Sequence, residues 1–214
     1  MTKSLVTCIY LITCIFSNAV FAADKERQSI CDLTPWKGDS VPVLRLYDNE
    51  AGERFYEKIL DNLPGGYTKK MARDFIHGLY EMNIKTFSVV DENTIRIDDK
   101  LTGDYVHVCT VSMGKEKRPA WQVFITDSKE MIEAGYKYIM LLPLHQHGED
   151  GLRHFHLRYG NENFDFLTTD PSVKEWWPTV YQPAEIDEAK ATQQMTTPKL
   201  ARLYASMMKK NLPK

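Results

Sequence analysis

From Ile84 to Tyr159 the chain is a succession of short β-branched and aromatic runs separated by turn-forming clusters, and this alternation restricts the fold more than any other feature. Residues 84–90, 94–97, 105–111, 121–125, 136–144 and 154–159 read as strands, because side chains two residues apart emerge on one face of an extended chain. Residues 91–93, 98–103 and 114–119 are polar or glycine-containing and read as the turns between them. A meander of six to eight antiparallel strands leaves two unpaired edges unless it closes. The pattern therefore predicts a mainly β chain forming a closed or nearly closed antiparallel barrel.

Helical periodicity flanks this region. An extended segment over 40–47 leads into a predicted helix over 52–63, where Phe55, Ile59, Leu60 and Leu63 recur at three and four before Pro64-Gly65-Gly66 ends it. A second helix over 68–82 puts Met71, Phe75, Ile76, Leu79 and Tyr80 on one stripe, and a third over 198–211 carries Leu200, Leu203, Tyr204 and Met207. Each stripe needs a surface to pack on, so the expected architecture is a barrel with appended α-helices. Trp176-Trp177-Pro178 lies in an irregular stretch and reads as a core or plug cluster.

Lys3 precedes an apolar run from Leu5 to Phe16, and Val20-Phe21-Ala22 suits cleavage before Ala23, so residues 1–22 read as a secretory signal peptide. A lipoprotein cut before Cys14 fits less well, since Thr13 precedes the cysteine and the apolar run continues past it. Residues 23–214 then form a single exported domain, expected in the periplasm, and no later stretch approaches the ~20 apolar residues of a membrane span. With 27 Lys and Arg against 29 Asp and Glu, the net charge of −2 lacks the basic surplus that nucleic-acid binding needs. Cys31 and Cys109 are the two cysteines left after cleavage. An oxidising compartment predicts a disulfide between them, since their spacing is not that of a zinc-binding pair.

Four of the six histidines fall in LHQHGEDGLRHFHLRYGN, at His145, His147, His154 and His156. On a strand His154 and His156 project from one face while Phe155 points the other way. His145 ends the preceding apolar run, and the intervening loop lets that run return antiparallel beside 154–159, bringing a third imidazole within reach of the same ion. Three histidines with a vacant fourth position suit zinc, although copper, nickel, cobalt and cadmium accept the same donors. His147 is at most an accessory or fourth ligand; water, Glu149 and a residue of a partner protein are the alternatives for the fourth position. His77 and His107 read as ordinary hydrogen-bonded or surface histidines. Phosphate-binding glycine loops, H-E-x-x-H and G-x-S-x-G are all absent from the sequence.

RHFHLRYGN, followed after some fifteen residues by WWPTVYQPAEI, resembles the ZinT/YodA family of periplasmic zinc-binding proteins. The spacing from His145 to His154 and His156, the Gly160-Asn161 pair, and Trp177-Pro178-Thr179-Val180-Tyr181 carry the resemblance. ARDFIHGLYEMNIKTFSVVDENTIRI and Trp36-Lys37-Gly38 extend it more loosely. The resemblance implies a lipocalin-like, or calycin, barrel with zinc held near its mouth by His145, His154 and His156. It also implies zinc and cadmium binding in the periplasm, and cooperation with a ZnuA-type solute-binding protein of a zinc importer. The chain departs from the family in starting Ala23-Asp24-Lys25-Glu26-Arg27 where members often carry a histidine-rich segment.

The residues thus point first to a non-enzymatic protein that captures Zn2+ for uptake or homeostasis. A zinc hydrolase or hydratase would use the same three imidazoles with a metal-bound hydroxide. A third possibility is a barrel that binds an apolar small molecule.

Overall fold

A computed structural model describes residues 32–112, 120–146 and 152–211. Nine strands among the described residues form one antiparallel sheet. They are β1 (Gly38–Pro42), β2 (Phe87–Val89), β3 (Thr94–Ile97), β4 (Leu101–Asp104), β5 (Val106–Ser112), β6 (Ala120–Ile125), β7 (Tyr138–Leu141), β8 (His154–Gly160) and β9 (Thr179–Tyr181). The strand order is β4-β3-β2-β1-β9-β8-β7-β6-β5. The two end strands, β4 and β5, are joined through Tyr105 alone, so a single bent stretch of chain pairs with β3 on one side and β6 on the other and brings the sheet round to a nearly closed, lipocalin-like barrel. The expected mainly β fold with appended helices is the observed one.

The barrel interior is filled by its own side chains. Trp36, Phe87, Ile95, Tyr105, Phe124, Ile139, Leu141, Phe155, Leu157 and Val180 form one buried cluster. Each such apolar side chain contributes about 1.5–3 kcal/mol on burial. On β8 the odd-numbered Phe155 and Leu157 take the inside, so His154, His156 and Arg158 take the outside.

Six helices among the described residues accompany the barrel, one of which, over Lys129–Glu133, sends Met131 into the interior cluster. These are α1 (Glu50–Leu60), α2 (Lys69–Tyr80), α3 (Lys129–Glu133), α4 (Phe164–Thr169), α5 (Glu188–Met195) and α6 (Pro198–Asn211). α1, α2 and α6 pack their apolar stripes together around Tyr47, Phe55, Ile76 and Tyr204. Asn49 caps α1 by accepting from the N–H groups of Ala51 and Gly52, and Thr68 caps α2 through Met71 N–H. No helix of the described residues is long and apolar enough to cross a membrane.

Three expectations change. The extended run over 40–47 splits into β1 and a 3-10 turn over Val43–Tyr47, because the chain bends at Pro42 to bury Val43, Leu46 and Tyr47 under the helices. The run over 136–144 ends as regular strand at Leu141, short of Pro143, which has no N–H to give the ladder. The segment over 98–103, read as a turn, contains its own strand: Asp98 and Asp99 take positive φ of 54° and 55°, and Leu101 starts β4.

Cys109 on β5 is a free thiol, half-buried, and burial raises its pKa. Cys31 lies outside the described residues, as do His147, Glu149 and the signal segment. The expected Cys31–Cys109 disulfide is not seen; the expectation rested on cysteine number and compartment, neither of which places two sulfurs together.

Candidate metal centre

Antiparallel pairing assembles the three histidines. Beyond Pro143 the chain rejoins β8 for one residue pair, His145 opposite His154, with reciprocal N–H···O=C bonds of 3.0 and 3.1 Å. Directly opposed residues share a face, and His156 lies two residues further on that same face. The imidazole centroids stand 4.0 Å (His145–His154), 5.4 Å (His145–His156) and 5.6 Å (His154–His156) apart. One ring nitrogen from each falls within 4.8 Å of the others. Tetrahedral zinc with bonds of ~2.0–2.1 Å sets its nitrogens about 3.3 Å apart, which falls inside that bound.

Hydrogen bonds at Nδ1 indicate which nitrogen carries the proton. His154 Nδ1 lies 2.8 Å from the carbonyl oxygen of Leu152, which can only accept, so Nδ1 carries the proton. His156 Nδ1 is 2.7 Å from Thr179 Oγ1, and that hydroxyl donates its own proton to the Trp177 carbonyl at 2.8 Å. Thr179 Oγ1 therefore accepts from His156 Nδ1–H. His145 Nδ1 makes a longer contact of 3.4 Å with the Pro143 carbonyl. In His154 and His156 the neutral ring then offers Nε2 to a metal, and such a partner at the other nitrogen is what fixes the tautomer of a metal-ligating histidine. With three neutral imidazoles as donors, the centre suits a borderline dication.

His154 is 8% exposed, and His156 stands edge-on to Trp177 at 5.7 Å. Trp177 in turn stacks on Trp121 at 6.1 Å. Beneath the pair lies Arg158, fully buried, with its guanidinium 4.9 Å from the Trp177 ring and 5.5 Å from Trp121. Arg158 donates to the carbonyls of Leu167 at 2.6 Å and Trp176 at 3.1 Å, and burial lowers its pKa to about 10.

All three histidines read from the sequence as a ligand set are thus brought together. The cluster lies at the strand end, on the outer face of β8 opposite the buried Phe155 and Leu157, and lines a cleft with residues of α2, α5 and α6. His77 and His107 stand apart. His77 Nε2 lies 3.8 Å from Asp48, and His107 Nε2 lies 3.0 Å from Gln122 Oε1 against Phe124. Sequence reasoning missed Thr179 and Arg158. Thr179 became visible only through the register of β9, which sets it opposite His156. Arg158 had a signal, since it continues the i, i+2 face of the histidine pair.

The fold and the cluster together define a lipocalin-like barrel bearing three convergent histidines on its outer face. Solved structures with this architecture are known. The chain is similar to the zinc-bound ZinT-like domain of Streptococcus pneumoniae AdcA, with a TM-score of 0.55 and 16% identity over 78% of this chain and 90% of that one. It is likewise similar to zinc-bound AdcA from the same organism, with a TM-score of 0.56, 16% identity and 78% coverage, and it spans 35% of that longer chain. No family model and no curated protein matches the sequence.

Proposed function

We propose that this chain is a ZinT-like zinc-binding protein, in which the Nε2 atoms of His145, His154 and His156 hold Zn2+ and the fourth position stays exchangeable. The observation that carries the reading is the convergence of the three rings within 4.8 Å. Oxygen acceptors at each Nδ1 support it. Zinc is also the metal in both similar structures. An open position lets an acceptor attack by ligand exchange, which suits capture and delivery better than a closed four-ligand cage. The protein is a carrier, not an enzyme, and works after export to the periplasm, with residues 1–22 removed. There it supports zinc uptake or homeostasis by supplying metal to a ZnuA-type solute-binding protein. Cadmium, nickel, copper and cobalt are acceptable to the same donors.

Zinc titration of residues 23–214 against a chromophoric chelator tests the site. One equivalent is expected, with affinity reduced at least 100-fold in His154→Ala and in His156→Ala. Unchanged affinity in both variants would remove the site.

A further inference from the structure

His154 and His156 form part of the wall of a cleft of about 850 Å3 between the barrel's outer face and helices α5 and α6. A water molecule occupies about 30 Å3, so the space beside the metal position is far larger than a fourth water ligand requires. Apolar side chains dominate the remaining wall, among them Leu79, Leu152, Leu200, Leu203 and Met207. Leu203 is 51% exposed, and Leu200 and Met207 on the same helix are partly buried. Among the described residues no Asp or Glu lines the cleft, whereas Lys199 does.

The charge balance points the same way. A dication held by three neutral imidazoles keeps its full charge of +2, and Arg158 is buried on the same face of β8, two residues beyond His156, bonded to neutral carbonyls. A fixed cation in a low-dielectric setting disfavours a second one nearby unless an anion joins them. The fourth ligand is therefore expected to be negative, and the cleft next to it is expected to take an apolar body.

We propose, resting on the zinc reading above, that the fourth metal position is filled by the carboxylate of a small amphiphilic acid whose apolar chain lies in this cleft beside Leu200 and Leu203, with Lys199 offsetting charge. The bound species is then a metal–carboxylate complex. Bare metal would bind more weakly than metal accompanied by such an acid, and the acid would bind more weakly to the metal-free protein.

The test uses the protein loaded with Co2+, whose visible absorption reports its ligands, after metal stoichiometry has been measured by equilibrium dialysis. Acetate, hexanoate and decanoate are titrated, with decanol as the uncharged counterpart. The expected result is a change in the cobalt bands at one equivalent of decanoate. Affinity should rise about fourfold for each methylene that becomes buried, making decanoate at least several hundredfold tighter than acetate and tighter than decanol. Leu203→Glu, at an exposed position that tolerates charge, should flatten the chain-length dependence. Lys199→Ala should weaken decanoate about three- to tenfold with metal stoichiometry unchanged. If one metal binds but acetate and decanoate bind alike, or neither alters the cobalt spectrum, the amphiphile proposal is wrong and the zinc site stands. If no metal binds, both readings fall together.

Discussion

Thr179 Oγ1 sits 2.7 Å from His156 Nδ1 while donating to the Trp177 carbonyl, so one hydroxyl on β9 fixes the tautomer of an imidazole on β8. The same hydroxyl is buried and cross-strand paired, which leaves it little freedom to do anything else. A metal site of neutral imidazoles depends on such partners, because an imidazole that can rotate or switch tautomer spends part of its time with the wrong nitrogen presented.

Replacing Thr179 by Val keeps the shape and removes the acceptor. Zinc affinity should fall about 10- to 100-fold, the range found when the hydrogen-bond partner of a metal-ligating histidine is lost. Thr179→Ser should retain most of the affinity. Competition titration on both variants checks this, with circular dichroism spectra expected to match the unaltered protein. Equal weakening in Val and Ser variants would show that packing, not the hydroxyl, is what matters.

Alkaline pH should unfold the helical layer. Burial raises the pKa of Tyr47, Tyr80 and Tyr204 well above the ordinary value of 10; charge repulsion between the phenols adds to this, and the hydrogen bonds of Tyr204 to Tyr47 and of Tyr80 to Tyr204 oppose it in part. Their hydroxyls meet, Tyr80 to Tyr204 at 2.6 Å and Tyr47 to Tyr204 at 3.5 Å. Burial also pushes Tyr56 and Tyr159 up to about 12. A folded-state pKa above the unfolded one means that folding holds the proton, so this stability is complete below pH 10 and is lost as pH rises through the folded-state values. Denaturant melts at pH 8, 10 and 12 should show a decline confined to the upper interval. Tyr80→Phe should reduce its slope.

Much of the β architecture was legible because strand periodicity is local: residues two apart on one chain reveal a face without knowledge of the partner strand. The H-x-H pair was readable for the same reason. His145 needed more, since Pro143 interrupts the strand and only the single bridge to His154 restores the pairing. Two kinds of feature stayed hidden. Helices α3, α4 and α5 run five, six and eight residues, too short for a periodic stripe to stand out. The side of the barrel on which the histidines face helices is a matter of how α5 and α6 fold back, and no spacing within residues 145–156 encodes it. Asp98 is a related case: its carboxylate accepts from the N–H groups of Lys85 and Thr86, closing a turn whose far half then extends as β4.

Gly52 should tolerate no side chain. A Cβ there would lie 1.9 Å from the Tyr47 carbonyl oxygen, which is backbone and cannot swing away. Ala ordinarily favours a helix over Gly by about 1 kcal/mol, but overpacking against fixed atoms costs roughly 3 kcal/mol or more, so the clash prevails. Gly52→Ala is expected to be destabilised by about 2 kcal/mol or more in urea. Gly78→Ala, on α2 with open space around its Cβ, should be stabilised or neutral. The two changes share a chemistry and differ only in surroundings, so opposite signs would identify the close approach of α1 to the 3-10 turn as the cause.

Metal removal should act on stability through the same three rings. A ligand that binds the native state alone stabilises it by RT ln(1 + [L]/Kd), about 2.7 kcal/mol at a free concentration 100 times Kd. Zinc should therefore raise the thermal midpoint of residues 23–214 by several degrees, and a chelator should reverse the shift fully. The site joins the end of β8 to the segment just past Pro143, so the gain should concentrate there. Hydrogen exchange is expected to slow at the His145 and His154 amides, which pair with each other, and to change little in β3 and β4 across the barrel. His145→Ala separates the alternatives: it should abolish both the midpoint shift and the local protection, because two histidines remain on β8 but nothing then ties the ion to the chain beyond β7. A midpoint shift that persists in that variant would place the metal elsewhere.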